Sequence, residues 1–142
     1  MVPVMGLVAV QYAIVTKEMN DFLKEGEKKK VISIRSICIP PPDPFKVEKT
    51  DGAILINWKD PENIKEENLK LVWDHTVIVR NPRDTPSSMY DGTIIMSSSK
   101  RDAFLNEPFQ DIVFYPGTYY YAAFAVSQTG LVSDPATAFI TI

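Results

Sequence analysis

The chain has 142 residues, 45% of them apolar and 23% charged, and a net charge of -3. That length suits one ordinary domain with an appendage, not two domains with separate cores, and the composition belongs to a chain that folds. Without a basic cluster there is no field for releasing counterions from a phosphate backbone, so nucleic acid is not an expected partner.

From the N-terminus, the apolar run Val2 to Val15 has neither a basic stretch ahead of it nor a small-residue cleavage site behind it, so it reads as part of the mature protein. It is also shorter than the roughly 20 apolar residues that span a bilayer, and membrane insertion is not expected. Two local readings fit the N-terminal segment as a whole. Val8, Tyr12, Val15, Met19 and Phe22 recur every three or four residues, which gives a helix a single apolar stripe. Alternatively, Leu7 to Val15 is a strand, Thr16 caps a short helix that ends at Gly26, and Val31 to Ile39 is a second strand. Either way, about 40 residues bury too little of their own apolar surface to stand alone, at roughly 25 cal/mol per Å² left in water. Residues 1–39 are therefore expected to be an α/β or helical docking arm.

Pro40-Pro41-Pro42-Asp43-Pro44 marks the next boundary, because consecutive prolines impose extended geometry and remove amide donors. Residues 40–44 are read as a stiff connector. Residues 1–42 carry six basic and four acidic side chains, and residues 43–142 carry nine basic and fourteen acidic, so the two parts differ in charge, +2 against -5.

Beyond the prolines, β-branched and aromatic runs alternate with turn signals. Expected strands are Phe45 to Lys49, Ala53 to Lys59, Leu71 to Arg80, Thr93 to Met96, Phe109 to Val113, Thr118 to Ser127 and Leu131 to Ile140, with an acidic crossover through Glu67. Period-two alternation puts Ile54, Ile56 and Trp58 on one face. Seven short strands in residues 45–142 predict an all-β, seven-stranded antiparallel β-sandwich.

Two motifs in this region resemble the fibronectin type III family, which is Ig-like in architecture. Ile54-Leu55-Ile56-Asn57-Trp58 is similar to the family's second strand with its core tryptophan. Phe114-Tyr115-Pro116-Gly117-Thr118-Tyr119-Tyr120 is similar to its leucine-x-proline-x-threonine-x-tyrosine corner, with Phe114 in place of leucine. The resemblance implies that Tyr120 is the corner tyrosine and a core residue, its hydroxyl bonded to upstream backbone. A further run, Thr76 to Asn81, Pro86, Tyr90 to Thr93, Phe109 to Asp111 and Thr118 to Ala122, resembles modules of bacteriophage structural proteins and of secreted bacterial surface and polysaccharide-degrading proteins. In those settings the module spaces, decorates or adheres.

No residue set suggests chemistry. His75 has no serine or cysteine near it in sequence and shares a predicted strand face with Trp73 and Val77. Cys38, between Ile37 and Ile39, reads as a small buried hydrophobe, because a reactive thiolate needs an electropositive setting. One cysteine and one histidine are too few for a Cys/His zinc site, and Glu66-Glu67 read as solvated carboxylates. No cofactor and no metal are expected. Tyr119 and Tyr121 share one face of their strand and Tyr120 and Phe124 the other; if the first pair is open, it can stack on sugar rings or a protein neighbour. Tyr90, Asp91, Arg101 and Phe104 lie in loops of the kind that carry binding groups. The expectation is a non-enzymatic virion protein that docks through its arm onto other particle proteins or copies of itself. The alternative is an adhesion or carbohydrate-binding module of a secreted protein, with a host-surface glycan as ligand.

Overall fold

The structure is a computed structural model in which residues 38–142 are described. The chain divides after Cys38, and Ile39–Ile142 form one unit. Val8, Tyr12, Val15, Met19 and Phe22 lie outside the described residues, and so does the choice between helix and strand for residues 4–25.

The described residues are all-β. Antiparallel strands β1 (Phe45–Thr50), β2 (Ala53–Trp58) and β7 (Phe109–Asp111) form a sheet in the order β1-β2-β7. Strands β5 (Trp73–Asn81), β6 (Thr93–Ser98), β8 (Thr118–Ser127) and β9 (Ala136–Thr141) form a second in the order β6-β5-β8-β9. A two-stranded hairpin, β3 (Ile64–Glu66) with β4 (Leu69–Leu71), stands where the sequence suggested only an acidic crossover. Its cause is local: Ile64 pairs with Leu71 at the open end, Leu71 is buried, and Asn63 Oδ1 accepts the Trp73 amide proton.

Alternation decides what each strand buries. In β2, Ile54, Ile56 and Trp58 point inward, and with Ile78, Tyr121 and Ala123 from the facing sheet they make the main core. Strands β5 and β8 bury side chains on both faces. Their outward residues Val77, Val79, Ala122, Phe124 and Val126 form a second cluster, against which Met89 of the long β5–β6 loop packs. Asn81 holds that loop in shape: its Nδ2 donates to the Asp91 carbonyl and carboxylate, and its Oδ1 accepts the Arg83 amide.

Several bounds differ from expectation: β5 runs Trp73–Asn81, β6 extends to Ser98 and β7 ends at Asp111 rather than Val113. The last strand starts at Ala136 rather than Leu131, because Pro135 has no amide proton to give the ladder; Val132 makes only an isolated bridge to Val126. The end of the proline run is tied to the sandwich: Pro42 is fully buried, the Asp43 amide donates to the Lys59 carbonyl, and the Lys59 amide donates to the Pro44 carbonyl. Ile39 packs with Trp73 and Ala125 as a third cluster, whereas its neighbour Cys38 is exposed, so the buried hydrophobe at this point of the chain is the isoleucine.

Candidate functional site

Strand direction sorts the loops into two ends. One end, the base, holds Ile39, the β2–β3 connection, the start of β5 and the Ser99–Pro108 segment. The other, the tip, holds the β1–β2 turn, the β5–β6 loop, the β7–β8 loop and Ile142. Each end is clamped by one buried aspartate that bridges the sheets.

At the base the clamp is Asp60. Its carboxylate accepts the Trp58 indole proton at 3.0 Å, the Thr76 hydroxyl at 2.7 Å and the Asp102 amide at 2.7 Å, while its own amide donates to Asp102 Oδ1. The Trp73 indole in turn donates to the Thr76 oxygen. Nearby, the Arg101 guanidinium lies 5.0 Å from the Trp73 ring centre and donates to the Pro61 carbonyl and to Asn63. Phe104 stacks on Trp58 at 5.0 Å and meets Phe109 edge-on. Arg101 and Phe104, expected as loop binding groups, are therefore committed to holding the Ser99–Pro108 segment onto the sandwich.

At the tip the clamp is Asp111. It accepts from Arg80 Nη1 at 2.5 Å and from the Tyr121 hydroxyl at 2.6 Å. Burial, then the hydrogen bond to Asp111, raises the Tyr121 pKa far above the ordinary phenol value. Asp111 ends β7, so this clamp also fixes the root of the loop Ile112–Gly117. Its far side is held as well. The Tyr119 hydroxyl donates to the Tyr115 carbonyl at 2.6 Å, and Gly117 and Ile142 exchange two backbone hydrogen bonds.

The loop is braced, and Val113 packs against the main core, yet its other apolar side chains face water. Phe114 is 85% exposed, Tyr115 77% and Ile112 58%, and Tyr90 on the neighbouring β5–β6 loop is 85% exposed. A shallow cleft of about 160 Å³, lined by the β1–β2 turn, Val113 and Ile142, opens at the same end. Loop rigidity matters here because ordering a side chain on binding costs about 0.5–1.5 kcal/mol, and a fixed loop has less left to lose. The arrangement suits a contact surface anchored by aromatic groups.

The structure redistributes the tyrosines. Tyr121 is fully buried, so the suggested Tyr119–Tyr121 stacking platform does not exist; Tyr119 is half-buried, with its hydroxyl spent on Tyr115. Tyr120 is not the corner tyrosine. It faces the outer side of its sheet, half-buried beside the exposed Phe139 with ring centres 6.0 Å apart. The reason is parity: β8 sends its odd-numbered residues inward, which gives the backbone-bonding role to Tyr119 and the core to Tyr121. Tyr90 is the one residue of the suggested surface set that is wholly open, while Asp91 accepts the Ser87 amide and hydroxyl within its loop.

The other residues weighed for chemistry stay apart. His75 Nδ1 meets the Asp74 carboxylate at 2.7 Å near the surface, and Glu66 and Glu67 are exposed. Sequence reasoning passed over Asp60 and Asp111. Each is an acid where a strand ends, and nothing in the neighbouring residues separates it from a solvated turn acid. Ile112 was passed over too, although Asp111 is followed by no charged residue before Asp134. Comparison with models of known protein families finds no match, and comparison with curated proteins finds none either.

Proposed function

We propose that residues 45–142 are a fibronectin type III-like sandwich, and that the protein is a non-enzymatic structural component of a bacteriophage particle. In this reading the N-terminal arm attaches to the assembly and the tip of the sandwich makes the outward contact. The observation that carries it is the braced, uncharged loop Ile112–Gly117, which holds Phe114 and Tyr115 in water at the end of the sandwich opposite Ile39. The sheet orders β1-β2-β7 and β6-β5-β8-β9 support the family reading. An apolar surface kept rigid and exposed is a cost to a free monomer, and it makes sense where a protein neighbour covers it.

The test is mass spectrometry of purified particles from a phage whose genome encodes the chain, combined with complementation by tip variants. The chain should be present in fixed stoichiometry. F114A/Y115A should lower its incorporation or the particle's function at least tenfold while its melting temperature stays within about 2 °C, as for exposed positions generally. A chain absent from the particles overturns the reading. The adhesion alternative has lost its suggested sugar platform with the burial of Tyr121.

A further inference from the structure

The two sheets leave four strands at an edge: β1, β7, β6 and β9. An edge presents unpaired amides and carbonyls, and proteins usually blunt it with charge, proline or shortness. Strand β1 carries exposed Lys46, Glu48 and Lys49; β7 has three residues; β9 follows Pro135 and lies against β1 of the opposite sheet. Strand β6, Thr-Ile-Ile-Met-Ser-Ser, is different. It is six residues long and has neither charge nor proline. Among the described residues, no hydrogen bond beyond the β5 ladder reaches the backbone of Thr93–Ser97, and Ile94 is 51% exposed.

Its one irregularity indicates which partner suits it. The register with β5 shifts between Ile78 and Val79, so Ile78 faces Met96 while Val79 faces Ile94, and Ile95 is the extra residue. Ile95 and Met96 both pack toward the main core. Thr93 lies opposite Arg80 and Ser98 opposite Thr76, both inward-facing, while Ile94 and Ser97 lie opposite the outward Val79 and Val77. From Thr93 to Ser98 the faces therefore run in, out, in, in, out, in. That pattern is a palindrome. A regular strand alternates and fails to match it, because one residue past the bulge its faces invert. A second β6 running antiparallel about the Ile95–Met96 midpoint matches it at all six positions.

We propose that β6 is a homodimer edge: two copies of this chain join their four-stranded sheets through β6, related by a two-fold axis, into one continuous eight-stranded sheet. Ile94 of each copy then faces Ser97 of the other on the outer side, and no like charges oppose one another along the seam. The inference stands apart from the particle reading, because it concerns copies of this chain only.

The test is sedimentation velocity on the full chain across a concentration series, with two charge variants, I94K/S97K and I94E/S97E. Both positions are exposed at the rim, so both variants should fold with circular dichroism spectra like the parent. The parent should dimerise. Each variant alone should dimerise at least about tenfold more weakly, since lysine or glutamate meets its own kind twice across the axis, and an equimolar mixture of the two should recover the dimer. A monomeric parent overturns the proposal, and so do variants that associate as the parent does, which would place the contact elsewhere. If a variant fails to fold, hydrogen exchange on the parent decides: the amides of Thr93–Ser98 should become more protected as concentration rises, and unchanged exchange there overturns the proposal.

Discussion

Gly92 illustrates how one residue holds a loop. It follows the Asn81–Asp91 loop at φ +137°, and a Cβ added there would collide with the Arg80 carbonyl and crowd Val79. Gly52, in the β1–β2 turn, has φ +79° and open space around it. The two glycines therefore differ in why they are needed. Gly52→Ala should cost only the left-handed backbone penalty, about 1–2 kcal/mol. Gly92→Ala adds a backbone clash that no rotamer relieves and should cost more than about 3 kcal/mol, read from the midpoint shift in urea unfolding. Equal losses for the two variants would contradict the close approach at Gly92.

The elements are tied together by polar groups as much as by apolar ones. Asp60 joins the end of β2 to the start of β5 and to the Ser99–Pro108 segment, all through donors and without a paired cation. Asp60→Ala leaves the Trp58 indole and the Asp102 amide without an acceptor and opens space beneath Thr76. The expected loss is about 3 kcal/mol in denaturant unfolding, because each buried donor left unpaired costs about 1–3 kcal/mol. Near-ultraviolet dichroism from Trp58 and Trp73 should weaken as well. At the other end, the Arg80–Asp111–Tyr121 clamp ties β7 to β5 and β8. Among the described residues, no buried side-chain nitrogen or oxygen lacks a partner, which is why two interior carboxylates are tolerated.

For the whole molecule, the Tyr121 phenol sets an alkaline limit on stability. Its pKa is raised in the fold by burial first and by the Asp111 hydrogen bond second, so folding favours the protonated form. Below about pH 10, the ordinary phenol value, both folded and unfolded states hold the proton and the contribution is complete. Above it the unfolded chain releases the proton and the folded chain resists doing so, so stability falls, by at most about 1.4 kcal/mol per pH unit from this group. Tyr121→Phe should lower stability at pH 7 by about 1–3 kcal/mol through the lost hydrogen bond, yet flatten the decline between pH 10 and 11.5. Urea unfolding of both proteins across that range checks the sign, and parallel declines would show that another group governs it.

Much of the fold was legible in residue pattern. Strands β2 and β8 follow from alternation and turn residues, with Thr118–Ser127 matching end for end, and the antiparallel all-β class follows from the spacing of such runs. These are local properties, set by steric preference and by which side chains water excludes. The chain by itself also determined that Ile54, Ile56 and Trp58 share a face. It did not determine which face of β8 meets the core: Tyr119, Tyr120, Tyr121, Ala122, Ala123 and Phe124 are apolar or amphipathic on both sides, so alternation offers two equal phases. Pairing with β5, whose inward Ile78 and Arg80 lie opposite Ala123 and Tyr121, selects one. That selection buries Tyr121, turns Tyr120 outward and assigns Tyr119 to the Tyr115 carbonyl. Only the tertiary structure also made Asp60 and Asp111 interior clamps, engaged Arg101 with Trp73 and Pro61 and Phe104 with Trp58, and left Phe114 and Tyr115 in water. Each of these depends on partners tens of residues away, and the free energy of a buried charge or an exposed ring is set by those partners and not by the neighbouring sequence.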